Sequence, residues 1–246
     1  MKTNYFNSPV IKPNVTASLQ HTAAFAEGDA LFDWTLFEIP RGTARLIGAT
    51  IVIRPKGDAA PTHQPAGVDL IFARDTAVSA APVTIGALNG AAILSPSDST
   101  VGALPSVAAN IVGGATAVIT TSASSPLILE GEPNTGTNVG YDKYWVAGIA
   151  AGAIDFITLN RINDDNIASV SPGTTLVMDG TSMDIREHFI VDDVLHAHDD
   201  AVIGTVASTT NATTLELDTA IATSVLAADD FVYCLNPIKI ILHFSK

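Results

Sequence analysis

Pro237-Ile-Lys-Ile-Ile-Leu-His-Phe244 is the cleanest strand in the chain. Ile238, Ile240, Leu242 and Phe244 share one face, and Lys239, Ile241 and His243 share the other. That is the period of two a β-strand imposes on its side chains. A strand this apolar is an aggregation hazard when its edges are open. It is therefore expected in the middle of a sheet, returning to a main domain after a smaller inserted cassette.

The cassette precedes it. Phe189–Leu195 reads as a strand with two acidic residues at its middle, 196–200 as a hairpin tip, and Ala201–Val206 as the returning strand. Ser208–Ala212 is a polar turn. In Thr214–Leu217 the alternation puts Leu215 and Leu217 inward and Glu216 outward. Asp230–Cys234 closes the set. Short strands joined by tight turns predict a small barrel or roll.

Upstream, Arg45–Arg54 is rich in β-branched residues. Strict alternation places Ile47, Ala49, Ile51 and Ile53 on one face and Leu46, Thr50, Val52 and Arg54 on the other. Val68–Ala73 is expected to pair antiparallel with it across the proline-containing loop 59–65. Ala115–Thr121 and Leu127–Leu129 read as separate strands on either side of Pro126, followed by Tyr144–Ile149 and Asp155–Leu159. Segment 77–114 predicts short strands and a helical turn between loops. The expected fold is all-β: an extended arm at 1–14, a sandwich or jelly roll formed by 15–175 plus 236–246, and a barrel-like insertion at 176–235.

The composition excludes several partners. The chain has 246 residues, 12 Lys and Arg against 25 Asp and Glu, and a net charge of −13. An acidic surface without a basic cluster repels phosphate and anionic lipid, which argues against nucleic-acid or membrane binding. Charged residues make up only 15% of the chain, below the roughly 25% of ordinary soluble domains. Small residues fill the difference, as suits faces covered by other subunits. The single cysteine, Cys234, allows no intrachain disulfide and reads as a buried thiol. No apolar signal-peptide core stands near the N-terminus, and the weakly polar stretch 145–154 is too short to span a bilayer. The expected product is made in a cytoplasm and stays soluble, or leaves by a route other than secretion.

Chemistry-bearing residues are sparse. His196, His198 and Asp200 are the one metal-like cluster: two imidazoles two residues apart on a strand, with a nearby carboxylate, suit zinc. A polar hairpin tip accounts for the same residues. Asn163-Asp-Asp-Asn166 lacks the glycine and distant glutamate of a calcium loop and reads as an Asx turn. Glu27, Asp29 and Asp33 offer paired carboxylates for glycoside hydrolysis, or simply the wet face of a strand. Tyr141, Tyr144 and Trp145, or Phe32, Trp34 and Phe37, offer sugar-stacking platforms or core. There is no Gly-x-Ser-x-Gly elbow and no phosphate-binding glycine loop. No catalytic, cofactor or metal residue is assigned.

Ile39-Pro-Arg-Gly-Thr-Ala-Arg-Leu-Ile47 resembles the IPKGTAxL segment of virion structural proteins of tailed phages, especially those of marine bacteria. Phe189-x-Val-x-Asp193, Ile203-Gly-Thr-Val206, Thr213-Thr-Leu-Glu-Leu217, Ala228-Asp-Asp-Phe-Val-Tyr233 and Asn236-Pro-Ile238 are similar to a small β module recurring in such proteins. Where relatives often carry glycine before the aspartate, this chain has Asp192. The resemblance implies a non-enzymatic decoration or cement subunit on the capsid surface. Such a subunit is made in the host cytoplasm, is commonly homotrimeric and contacts the major capsid protein. The arm is then expected to reach a neighbouring subunit. The alternative is a phage adhesin that binds a receptor or glycan through exposed aromatics.

Overall fold

The structure, a computed structural model, describes residues 4–22, 24–40, 43–55, 64, 66–74, 82, 84–92, 100–105, 110–111, 117–129, 141–157, 173–179, 184–221, 226 and 230–246. The chain is all-β, built from antiparallel sheets of which none closes into a barrel. One sheet carries, in spatial order, β1 (Tyr5–Asn7), β14 (Ile238–Ser245), β3 (Ala44–Ile53), β7 (Ala117–Leu129) and β6 (Asn110–Ile111). A second carries β2 (Ala30–Pro40), β8 (Tyr141–Ala150), β4 (Val68–Arg74) and β5 (Thr100–Leu104). Their inner faces share one core that includes Phe32, Phe37, Leu46, Ile51, Phe72, Tyr144 and Leu242.

The final strand sits where its alternation placed it, between β1 and β3. Ile238, Ile240, Leu242 and Phe244 are fully buried, while Lys239, Ile241 and His243 are partly exposed. The N-terminal arm covers its outer edge. Tyr5, Phe6 and Asn7 pair with Ser245, Phe244 and His243, and Phe6 stacks on Phe244 with ring centroids 5.1 Å apart. Ile11 exchanges backbone hydrogen bonds with Ile240. The described part of the arm is thus hydrogen-bonded to its own chain.

Two expectations about β3 are corrected. Val68–Ala73 does not pair with it: β4 lies in the opposite sheet, between β8 and β5. Each strand satisfies its backbone with sequence-distant partners, so the two sheets face each other across the core. The face assignment also breaks at one position. Across β14 the partners step from His243–Gly48 to Phe244–Leu46, and across β7 from Ser122–Gly48 to Leu127–Leu46. Ile47 is the extra residue of a bulge, which shifts side-chain alternation by one. Leu46 therefore joins Ala49, Ile51 and Ile53 in the core, while Ile47 is partly exposed. The same irregularity explains Pro126. Residues 123–126 lie in the register gap opposite Ile47, where no ladder hydrogen bond is required, so one strand runs through the expected break.

The cassette is an open sheet in the order β13 (Val232–Cys234), β10 (Val194–Ala197), β11 (Val202–Thr209), β12 (Thr214–Leu217) and β9 (Thr175–Val177). The expected barrel closure is absent: β13 and β9 are its two edges. It has its own core, including Leu176, Phe189, Leu195, Val206, Leu215 and Val232. Leu215 and Leu217 point inward and Glu216 outward, where it accepts hydrogen bonds from Thr174 and Thr175. The predicted strand 189–195 begins only at Val194. A turn precedes it, with Asp192 at φ 73°. That left-handed conformation favours glycine, the residue the resembling proteins often carry there.

Asp155–Leu159 is not a strand where described: Ile154 makes an isolated bridge to Phe25, and 155–157 are irregular. No helix is described within 77–114. The one α-helix among the described residues is the short α1 (Ala17–Thr22), and no described helix is long and apolar enough to cross a membrane.

Candidate functional site

Two members of the acidic trio accept backbone hydrogen bonds. Asp29 Oδ2 accepts the backbone N–H of Ala26 at 2.7 Å, closing the turn before β2. Asp33 Oδ1 accepts the N–H groups of Trp34 and Ile85 at 2.8 and 3.3 Å. Glu27 is exposed. Asn163–Asn166 lies outside the described residues.

Most of the aromatic candidates are core. Phe32 and Tyr144 are fully buried and Phe37 nearly so. Phe37 stacks on Tyr144 at 5.9 Å and meets Phe72 edge-on at 6.1 Å. These rings are spent on each other and present no face to a sugar. Trp34 and Trp145 are half-buried, and the side chain of Tyr141 lies outside the described residues.

The histidine segment divides between two roles. His196 is not at the tip: it lies within β10, buried, with Nδ1 2.9 Å from the Asp200 carbonyl oxygen. His198 stands in the turn, its Nδ1 3.5 Å from Asp230 Oδ1 and its ring 5.2 Å from that of His21 on α1. His21 Nδ1 is 2.8 Å from the Tyr233 hydroxyl. Asp200 accepts from Ser18 through both the backbone N–H (3.0 Å) and the hydroxyl (2.6 Å). Partial burial, and then the proximity of His198, lower the pKa of His21. These groups clamp α1 onto the cassette. Among the described residues no three His, Cys, Asp or Glu side chains are grouped to hold a metal ion.

Two features stand out that the residue patterns did not flag. The first is a surface. Ile190, Val191, Val194 and Val202 all belong to the first hairpin of the cassette and the turn leading into it, and all are exposed, Val202 at 59%. Large aliphatic side chains concentrated on one hairpin of an acidic protein mark a contact surface more readily than scattered ones do.

The second is a cleft of about 170 Å3 between the sandwich and the cassette. It is lined by the end of β3 (Val52, Arg54, Pro55), by His188, Ile190 and Asp193, and by the β13–β14 link with Lys239. Arg54, set by alternation on the face opposite Ile51 and Ile53, is 6% exposed. One guanidinium nitrogen, Nη2, donates to the Phe156 carbonyl, and the group lies 5.8 Å from the Phe156 ring centroid. Among the described residues its Nε and Nη1 find no hydrogen-bond partner. Asp193 is 2% exposed; Oδ2 accepts the Ile190 N–H at 3.1 Å, while Oδ1 finds no donor among the described residues.

Burial pulls Arg54 down to about 10, so it remains a cation at neutral pH. Burial and the Arg54 charge hold His188 at about 3, as a neutral imidazole. Burial, reinforced by the Asp193 carboxylate, raises Cys234 to about 11. A protonated thiol beside a neutral imidazole is not an activated nucleophile, which requires thiolate. The Cys234 thiol lining the cleft is buried and protonated at neutral pH. The one sequence cue to it was an arginine ending an aliphatic strand before proline.

Compared with known protein families, curated proteins and solved structures, the chain matches none.

Proposed function

We propose that this protein is a non-enzymatic structural component of a tailed-phage virion. In this reading it is a decoration or cement subunit that reinforces the head shell through contacts with the major capsid protein, as a homotrimer on the capsid surface. The observation that carries the reading is the exposed aliphatic hairpin, Ile190, Val191, Val194 and Val202. Side chains of this kind lose water-exposed area only when a partner covers them, at roughly 25 cal/mol per Å2. The candidate carboxylates and metal-like residues support it further, because Asp29, Asp33, His196 and Asp200 are engaged in hydrogen bonds within the fold.

The test uses head shells of the parent phage stripped of this protein. Purified protein should co-sediment with them and appear as added density by electron microscopy. The double change Val191→Asp with Val202→Asp should abolish attachment while leaving the unfolding midpoint within a few degrees. Wild-type protein that fails to attach to any such shell overturns the proposal. Analytical ultracentrifugation reads the trimer directly.

A further inference from the structure

We propose that the cleft between sandwich and cassette is a binding site for a small carboxylate that also carries a hydrogen-bond donor, of the hydroxy-acid or amino-acid type. Two buried charged side chains on its wall are incompletely satisfied, and they are of opposite sign. Among the described residues, Arg54 keeps Nε and Nη1 without acceptors, and Asp193 keeps Oδ1 without a donor. Buried charges in folded proteins are normally paired and fully hydrogen-bonded, so an orphaned cation and an orphaned acceptor lining one cavity mark what is missing between them.

The missing partner must bring acceptors to arginine and a donor to aspartate. Charge narrows it further. Arg54 and Lys239 stand against the single carboxylate of Asp193 on the cleft wall, with His188 neutral, leaving one positive charge to balance. A carboxylate bearing a hydroxyl supplies that charge; an amino acid, neutral overall, instead matches the wall group by group, its carboxylate toward Arg54 and its ammonium toward Asp193. Size agrees: about 170 Å3 is well below the roughly 300–1,000 Å3 of drug-sized pockets, and suits a molecule of a few heavy atoms.

The site joins the two halves of the chain. Arg54 and Lys239 come from the sandwich, Asp193 and His188 from the cassette side. A bound ligand would tie them together and raise stability by mass action. This is independent of shell attachment.

Calorimetric titration and thermal unfolding of the intact protein at pH 7 test the assignment, with lactate, serine and inorganic phosphate as separate probes. Lactate or serine should bind saturably and raise the unfolding midpoint, and Arg54→Met should remove both effects. Should that variant fail to fold, Lys239→Gln and Asp193→Asn decide. Lys239→Gln is expected to weaken lactate and serine alike by tenfold or more. Asp193→Asn should weaken serine more than lactate, since only serine brings an ammonium. Phosphate binding without either organic probe overturns the carboxylate assignment. No saturable binding of any probe at 50 mM overturns the site, as does binding that all three variants leave unchanged.

Discussion

Gly148 in β8 sits opposite Phe32 in β2, and the phenylalanine ring occupies the space a side chain at 148 would fill. A β-carbon there would overlap ring carbons of Phe32. Glycine weakens a strand interior, so its presence in a central strand calls for such a close approach. Gly148→Ala should cost about 1–3 kcal/mol by overpacking. The double variant with Phe32→Leu should recover part of that loss, measured by denaturant unfolding. Additive losses would show that the ring and the glycine do not share the space.

Asp192 gives the opposite case, a side chain where glycine fits better. At φ 73° the backbone is left-handed, and its N–H donates to the Val206 carbonyl. Asp192→Gly keeps that bond and should be neutral or stabilising by up to about 1 kcal/mol. Asp192→Val should destabilise by about 1–2 kcal/mol, because a β-branched residue tolerates this region poorly. Equal unfolding midpoints for the two variants would refute the turn geometry.

Gln20 on α1 is fully buried and donates from Nε2 to the carbonyls of Val15 and Cys234, at 2.7 and 2.9 Å. It joins the segment after the arm to the cassette's last strand. Gln20→Ala leaves two carbonyls without their donor and should cost about 1–3 kcal/mol. Amide exchange around Cys234 should accelerate with it.

His188 makes stability depend on pH. Its folded-state value near 3 lies below the ordinary 6.5, so the unfolded chain binds the proton more readily. This contribution is complete above about pH 6.5 and is lost as pH falls toward 3, with a limiting slope of about 1.4 kcal/mol per pH unit. His21, lowered in the same direction, adds to the slope. Between pH 5 and 6.5 the slope of unfolding free energy should flatten in His188→Gln. An unchanged slope would place the titration elsewhere.

Cys234, raised to about 11 by burial, should resist aromatic-disulfide labelling at pH 8 in the native protein. Labelling should proceed only as fast as the surrounding sheet opens. Rapid stoichiometric labelling without denaturant would contradict the burial of this strand.

Much of the strand content was legible. Ile238–Phe244 alternated without interruption, and Thr214–Leu217 declared its inner leucines. In both, local periodicity and final burial agree because the extra residues in their ladders lie on the partner strands, β3 and β11. Ile47 shows where legibility stops. A bulge changes which residues face inward without leaving a composition cue, so Leu46 read as sharing a face with Thr50 and Val52 and instead joins Ala49, Ile51 and Ile53 in the core. The candidate sites fared similarly. His196, His198 and Asp200 are close in sequence, yet their partners are Ser18 and His21 on α1, Asp230 and a backbone carbonyl. Arg54 and Asp193, more than a hundred positions apart, line one cleft that no local pattern announced.

By itself the sequence determined the strand character of these segments, because side-chain alternation is a property of a few consecutive residues. It also determined that the last strand needed neighbours on both sides. Tertiary structure alone decided which strands those were, that β4 would leave β3 for the opposite sheet, and that the cassette would stay open. Pairing depends on covering faces and edges contributed by distant parts of the chain, and burial of Arg54 follows from that meeting of segments.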